Sequence, residues 1–254
     1  MGAVRGDRDG GALAAALVIT GAYVRGERTN TELRREAAAS PVLAPWLCKC
    51  LGVSALAQEL LEELGCTPFD PDLDVPGGLA MTRAGMLRNL DLAAGKQLEP
   101  AALADWVTDG YSWSDGSAPD DPVLEEIASE IMPGGEDLDA ILVDPERLAL
   151  YRWHLENTPP ALAPRASFGF AIAANRAALE RALLARVQAD LGDDEFRAAV
   201  RGALHDALDA LPGLEDELAA AAAELAGRGA GLDALRAFLI CVSRSADPAA
   251  CVVE

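Results

Sequence analysis

The sequence is poor in aromatic residues and has no long apolar runs, and each shortage excludes a class of structure. Only 5% of the 254 residues are aromatic, so much of the 51% hydrophobic content consists of small side chains. A core of small side chains favours helices that pack closely together. The longest apolar run, residues 12–24, is interrupted by Thr20 and Gly21 and is shorter than the roughly 18 residues that a membrane-spanning helix requires. We therefore expect no membrane span.

Positive charge is also scarce. The chain has 21 basic against 41 acidic residues, for a formal net charge of −20, and only Lys49 and Lys96 are lysines. The acidic chain would repel the negative charges of nucleic-acid phosphates and of an anionic membrane. We therefore expect neither as a partner. A basic protein is the natural complement. The preference for arginine over lysine, in a chain rich in alanine and glycine, is typical of a GC-rich genome.

Cysteine is present in an odd number, five. In a chain of this length that count favours a reducing compartment over a disulfide framework. The acids Asp7 and Asp9 offset Arg5 and Arg8, and no A-x-A cleavage site follows, which disfavours a secretion signal. We therefore expect a cytoplasmic protein.

Apolar residues recur at spacings of three and four along the whole chain, and no period-two strand pattern occurs. The pattern predicts an all-α fold of helical bundles. Stretches rich in proline, glycine and aspartate divide it. We expect an N-terminal three-helix unit (1–66), a linker (67–80), an acidic helical segment (81–145) and a C-terminal, four-helix-like bundle (146–254). Single helices are predicted over residues 46–64 and 167–191.

The acidic segment concentrates the negative charge of the chain. No lysine or arginine lies between Lys96 and Arg147, while 14 acidic residues do. Three of the twelve aromatic residues, Trp106, Tyr111 and Trp113, fall within eight positions of this segment. A solvated face would explain the charge alone, but aromatic rings among carboxylates are typical of a protein interface.

Part of this segment resembles a known family. The stretch MTRAGMLRNLDLAAGKQLEPAALADWV, the acidic aromatic loop after it and DPVLEEIASEI together cover residues 81–131. Their layout resembles small acidic helical immunity proteins that neutralise bacterial nuclease toxins, with a short helix, acidic and tyrosine-bearing recognition segments and a helix that begins at proline. The resemblance implies an immunity or inhibitor function. The partner-facing residues that it implies are Asp105, Tyr111, Trp113, Asp120, Asp121 and Glu125. We add Trp106 and Asp115 from the same segment to the predicted partner-binding set.

Cys48 and Cys50 are candidates for a metal or redox site, with Cys66 as the nearest third ligand. On a helix, side chains two positions apart point about 200° from each other, so an extended or looped backbone would be needed for both thiols to bind one ion. Trp46, Leu47 and other apolar neighbours favour a packing role instead.

The only two histidines, His154 and His205, are the candidates for a general base. Asp209 lies one helical turn after His205, although an exposed pair on a helix face would show the same spacing. An enzyme should show a cavity that holds one of these histidines with a carboxylate in reach. No nucleophile elbow or dinucleotide motif is present, and we expect no cofactor.

These observations predict an acidic protein-binding module, such as an immunity or inhibitor protein, that captures a basic protein partner. Two alternatives stay open. One is a helical enzyme with a pocket between the N- and C-terminal units near His154. The other is a scaffold subunit of a larger assembly.

Overall fold

The computed structural model of the chain describes residues 3–65, 75, 77–113, 121–132 and 135–252. Every regular element in those ranges is helical, which confirms the all-α prediction. The elements of the N-terminal half are α1 (Ala3–Val24), α2 (Asn30–Ala39), α3 (Ala44–Leu47), α4 (Val53–Leu64), α5 (Arg83–Ala94), α6 (Pro100–Trp113), α7 (Pro122–Ile131) and α8 (Gly135–Val143). Those of the C-terminal half are α9 (Pro145–Asn157), a 3₁₀ helix (Pro160–Leu162), α10 (Ala163–Ala174), α11 (Arg176–Val187), α12 (Asp193–Asp209), α13 (Leu214–Gly227), α14 (Leu232–Ser245) and α15 (Pro248–Cys251). Within the described part of the chain, none of the helices combines the length and hydropathy needed to cross a lipid bilayer.

The helices form two compact units, Met1–Val143 and Asp144–Glu254, here called unit 1 and unit 2. The start of unit 2 lies two residues before the predicted position 146. The predicted separation of the N-terminal helices from the acidic segment is wrong, because helices from both pack together in unit 1. In particular, α6 of the acidic segment packs against α1.

Unit 1 is built around α1, which packs against α4 and α6. The buried hydroxyl of Thr20 donates to the carbonyl oxygen of Val53 at 3.0 Å, which fixes α1 to the first turn of α4. Because Gly52 has no side chain to cap α4, Asn30 supplies a substitute: its Oδ1 accepts the Val53 N–H at 3.0 Å. The positions of α1 and α2 against α4 are thus fixed by polar contacts as well as by apolar packing.

The predicted single helix over residues 46–64 is interrupted. Helix α3 ends at Leu47, and α4 begins only at Val53. Gly52 has an extended backbone, with φ −147° and ψ 176°, which a helix cannot contain. The intervening residues 48–52 form a turn that contains both Cys48 and Cys50.

The first turn of α5 lies against the end of α1. Thr82 caps α5 by accepting the Gly85 N–H at 3.0 Å, and its hydroxyl donates to the Arg25 carbonyl oxygen at 2.8 Å. A Cβ at Gly85 would lie only 2.0 Å from that carbonyl oxygen. The two segments therefore approach more closely than any side chain at position 85 would permit.

In unit 2 the predicted helix over residues 167–191 is two helices, α10 and α11, which meet at Asn175. Asn175 has φ −106° and ψ 15°, and its side-chain amide donates to the Ala171 carbonyl oxygen at 3.0 Å. Asparagine competes for main-chain hydrogen bonds in this way, and the helix ends there. Helices α10 to α15 share one apolar core that includes Phe168, Phe196 and Phe238.

The expectation of cysteines without disulfides is wrong for one pair. Cys241 in α14 and Cys251 in α15 form a disulfide, with 5.7 Å between their Cα atoms. Ala246, at φ 49° and ψ 34°, ends α14 in the left-handed conformation and turns the chain back. Cys251 and Val252 thereby return to the core of unit 2, where both are buried.

Candidate functional site

Helix α6 has one buried and one polar face. Pro100 is suited to its first turn, and the buried residues Leu103, Trp106, Val107, Gly110 and Trp113 repeat at intervals of three and four. The opposite face carries Asp105, Thr108, Asp109 and Ser112. The apolar stripe thus determines which acids of this helix are turned outward.

Both indoles of α6 are internal, so the expectation that Trp106 and Trp113 face a partner is wrong. Their exposed fractions are only 2% and 3%. The Trp106 Nε1–H donates to the Tyr23 carbonyl oxygen at 2.7 Å, and the Trp113 Nε1–H donates to the Ser54 hydroxyl at 2.5 Å. Large rings stabilise a fold most when their apolar area is buried and their N–H donors are hydrogen-bonded. Here the two indoles attach α6 to α1 and α4.

The polar face of α6 lines a cavity of about 300 Å³. We call it the acidic cavity. Its walls include Tyr23 of α1, Asn30 of α2, Leu51 of the turn before α4, Gln58 of α4, and Asp105 and Asp109 of α6. Four elements that are far apart in the sequence therefore converge on two carboxylates one helical turn apart.

The surroundings of Asp109 in the acidic cavity disfavour its ionised form. Burial raises the pKa of Asp109, which the hydrogen bond from the Tyr23 hydroxyl opposes and the negative charge of Asp105 reinforces. Burial, followed by the Asp109 charge, also raises the pKa of Tyr23. Among the residues that the structure describes, no lysine or arginine forms an ion pair with Asp105 or Asp109.

Leu51 lies at the rim of the acidic cavity and is 94% exposed. Its main chain is nevertheless fixed, because the Arg34 guanidinium donates to the carbonyl oxygens of Cys50, at 2.9 Å, and of Leu51. Val42, 44% exposed, is a second large apolar side chain of this N-terminal region that faces solvent. The cavity thus combines unneutralised carboxylates with an apolar side chain held out in water.

A smaller cavity of about 90 Å³ shares two walls, Tyr23 and Asn30, with the acidic cavity. We call it the amide cavity. Its other walls include Asn89 of α5, Leu98, and Ala102 and Trp106 of α6. Asn89 is only 3% exposed, and its Oδ1 is buried without a hydrogen-bond partner among the described residues.

The other members of the predicted partner-binding set are dispersed. Asp121 forms an ion pair with Arg83 and caps α7, so it has a structural role. Burial raises the pKa of Asp121, but the hydrogen bond and charge of Arg83 outweigh this, and the pKa lies below its usual value. Tyr111 is half-buried beside α7, where burial and then the charges of Glu125 and Glu126 raise its pKa. Asp115 and Asp120 lie outside the described residues.

The predicted cysteine ligands do not form a cluster in the described part of the chain. Cys48 is exposed and its thiol donates to the Pro45 carbonyl oxygen at 3.1 Å, whereas Cys50 is buried. Burial, followed by the charge of Glu59, raises the pKa of the Cys50 thiol. Cys66 lies outside the described residues. Across the described ranges, no group of three or more His, Cys, Asp or Glu side chains could hold a metal ion.

His154, a candidate for an active-site base, lies in the interior of unit 2. It is fully buried, and its Nε2–H donates to the Ser243 carbonyl oxygen at 3.0 Å. Nδ1, which must then be the unprotonated nitrogen, accepts from the Thr158 hydroxyl at 2.8 Å. Burial lowers the pKa of His154 to about 4, which keeps the ring neutral.

His205 and Asp209 do line one cavity, of about 170 Å³, together with Arg201 and Glu215. The predicted proximity of this pair is therefore present in unit 2. Leu204, at φ −126° and ψ 18°, kinks α12 immediately before His205. Arg201 and Glu215 form an ion pair at 2.7 Å, so the charges of these two walls neutralise each other.

Of the residues that line the acidic cavity, sequence reasoning named only Asp105, and Asp109, Tyr23 and Leu51 are among those that it missed. Asp109 was visible as one of the acids on α6, and its spacing from Asp105 was the available signal. Tyr23 and Leu51 carried no local signal, because only the packing of α1 and α4 against α6 brings them there.

Comparisons of the chain with protein-family models, with curated proteins and with solved structures find no match. The function must therefore be argued from the geometry of the cavities.

Proposed function

We propose that unit 1 is a protein-binding module that captures a basic partner by taking a cationic side chain into the acidic cavity. One observation carries the proposal: Asp105 and Asp109 line a cavity in which no described cation neutralises them. A guanidinium or ammonium group is the chemical complement of such a site.

The energetics of the free chain support this proposal. Like charges one helical turn apart destabilise a helix by about 0.2–0.5 kcal/mol, and partial burial of Asp109 adds a desolvation cost. An entering cation would offset both penalties by its attraction to the carboxylates and its hydrogen bonds to them. Sites that carry such local conflicts are commonly functional, because a purely structural helix face has no need of them.

The exposed side chain of Leu51 supplies the second half of an interface. Binding sites on proteins typically combine a desolvated apolar contact with charged groups that steer the partner. Leu51 offers that contact from a main chain that Arg34 already holds in place, which lowers the cost of ordering the backbone on binding. It takes the role that the sequence predicted for the indoles.

An immunity or inhibitor function is the sharper form of the proposal. The net charge of −20 would accelerate association with a basic protein, as an inhibitor that must intercept its target requires.

The experiment is a binding titration with the synthetic peptide acetyl-Gly-Gly-Arg-Gly-Gly-amide, followed by NMR and calorimetry. We expect the Asp105→Asn/Asp109→Asn double variant to lose about tenfold or more in affinity. Glu99→Gln is the matched control, because Glu99 is an exposed acid just before α6 that does not line the cavity. Affinity should also fall as salt rises. Equal binding by the parent chain and the double variant would refute the proposal.

The cavity at His205 favours a second candidate, acid–base catalysis in unit 2. A histidine with Asp209 and Glu215 on the same walls can accept a proton from a bound water. The test is turnover of a panel of ester and amide substrates by the parent chain and by His205→Gln. Turnover that survives the substitution, or none in the parent chain, would rule this candidate out.

A further inference from the structure

The acidic and amide cavities lie side by side along α6. Tyr23 and Asn30 are walls of both. Ala102 and Trp106 face the amide cavity, while Asp105 and Asp109 face the acidic cavity. The two pairs are offset by three residues, which corresponds to about 5 Å along the helix axis. One ligand can therefore occupy both cavities.

Asn89 gives the amide cavity its chemistry. Its side-chain oxygen is buried without a partner among the described residues, a condition that destabilises the folded chain. The terminal torsion of asparagine is broad, so a rotation of the carboxamide can turn the oxygen toward the cavity that the residue lines. A carboxamide offers an acceptor and two donors, which are complementary to a peptide group.

The charges of the wall residues determine which group of a ligand enters each cavity. Arg28 lines the amide cavity and, although paired with Glu36, makes it unsuitable for a second cation. A neutral polar group fits there, and the cation belongs with Asp105 and Asp109. The ligand that satisfies both conditions carries a peptide group and a positive charge within one side-chain length of each other.

Building on the function proposed for the acidic cavity, we propose that the captured element is an extended, arginine-containing segment of the partner. The arginine guanidinium occupies the acidic cavity, and the adjoining peptide group enters the amide cavity and bonds to Asn89. An extended or terminal segment is required, because the N–H groups within a helix are already engaged.

The acceptors of the acidic cavity favour arginine over lysine. Arginine presents five N–H donors in a planar fork, whereas lysine presents three on a compact ammonium. The two carboxylates, the Gln58 side-chain oxygen and the Thr108 hydroxyl together offer at least five acceptor positions. The three methylenes of the arginine stem are long enough to span the axial offset of about 5 Å between the α6 residues that line the two cavities.

The first test changes only the ligand, so that protein folding is not in question. Acetyl-Gly-Gly-Arg-Gly-Gly-amide is compared with versions N-methylated at the arginine nitrogen or at the following glycine nitrogen, and with a lysine version. We expect one of the two methylations, and the lysine replacement, each to weaken binding about fivefold or more. The Asn89 side-chain amide and the Trp106 indole N–H should shift in NMR spectra when the unmodified peptide is added.

The second test changes Asn89. Asn89→Leu removes the unpaired oxygen while keeping a similar volume, so the free chain should unfold at a higher temperature and the unmodified peptide should bind more weakly. If the oxygen were merely a packing defect, stability would rise and peptide affinity would not change.

The outcomes separate this inference from the function on which it rests. Peptide binding that depends on Asp105 and Asp109, yet is indifferent to both methylations and to Asn89→Leu, overturns the inference and leaves the acidic cavity as a cation site. Binding that ignores Asp105 and Asp109 overturns the proposed function itself. A lysine peptide that binds as tightly as the arginine peptide overturns the choice of arginine.

Discussion

The Trp106 indole donates its N–H to the main-chain oxygen of Tyr23, 83 positions earlier in the chain, at 2.7 Å. The same oxygen also accepts the Gly26 N–H at 2.8 Å, so the end of α1 is fixed by two donors. This contact places the Tyr23 ring beside Asp109. The aromatic residue that the sequence assigns to a partner therefore builds the wall of the site instead.

Trp106→Phe should destabilise unit 1 by about 1–3 kcal/mol, from one lost buried hydrogen bond and an incompletely filled core. Chemical denaturation followed by circular dichroism measures this change. If the variant keeps its stability but loses partner binding, the indole contacts the partner and the structural role is wrong.

Asp109→Asn should make the free chain more stable at pH 7, by roughly 0.5 kcal/mol from the i,i+4 repulsion alone. Burial and the Asp105 charge raise the pKa of Asp109 in the folded state, so its ionised form is the one that folding disfavours. The parent chain should lose this part of its stability as pH rises through that pKa, and the variant should not. A less stable Asp109→Asn variant would mean that the charge contributes to folding.

His154 should make unit 2 sensitive to mild acid. Its pKa falls from about 6.5 in the unfolded chain to about 4 in the fold, because burial and then the nearby Arg244 disfavour the charged ring. The unfolded state therefore binds the proton first, and up to about 3 kcal/mol of stability is lost as pH falls from about 6.5 to about 4.

The difference between the parent chain and His154→Leu isolates this effect from the titrating carboxylates. Between pH 7 and pH 4, the unfolding free energy of the parent chain should fall relative to that of the variant by up to about 3 kcal/mol. Parallel curves would mean that His154 is not the titrating group.

Reduction of the Cys241–Cys251 disulfide should weaken unit 2 by about 2–3 kcal/mol, the usual value for a short closed loop. Thermal unfolding with and without a thiol reductant measures the loss. The double variant Cys241→Ser/Cys251→Ser should match the reduced parent and ignore the reductant. An equal response of both proteins to reductant would place the effect at Cys48, Cys50 or Cys66.

Local patterns predicted the helical class, because apolar spacing is a property of short segments. The interruptions at residues 48–52 and Asn175 were missed, since apolar spacing continues across both and only the backbone angles reveal them. The disulfide depends on a left-handed alanine, Ala246, a conformation that its sequence does not signal.

The site was predicted only in part. Asp105 was named through the resemblance to acidic immunity proteins, but the same resemblance also named Asp121, which forms an ion pair with Arg83 of α5. Composition reveals which charges are present, whereas the pairing of Arg83 with Asp121, 38 positions apart, is a property of the fold. Asn89 gave no signal, because an unsatisfied oxygen can be recognised only once its surroundings are known.

The close contact between α5 and the end of α1 restricts which residue related sequences can have at position 85. A Cβ at position 85 would lie 2.0 Å from the Arg25 carbonyl oxygen, so any descendant or cousin that keeps this crossing must retain glycine there. That glycine, three residues after a capping threonine, offers a fixed position by which distantly related sequences can be recognised when the remaining residues have diverged.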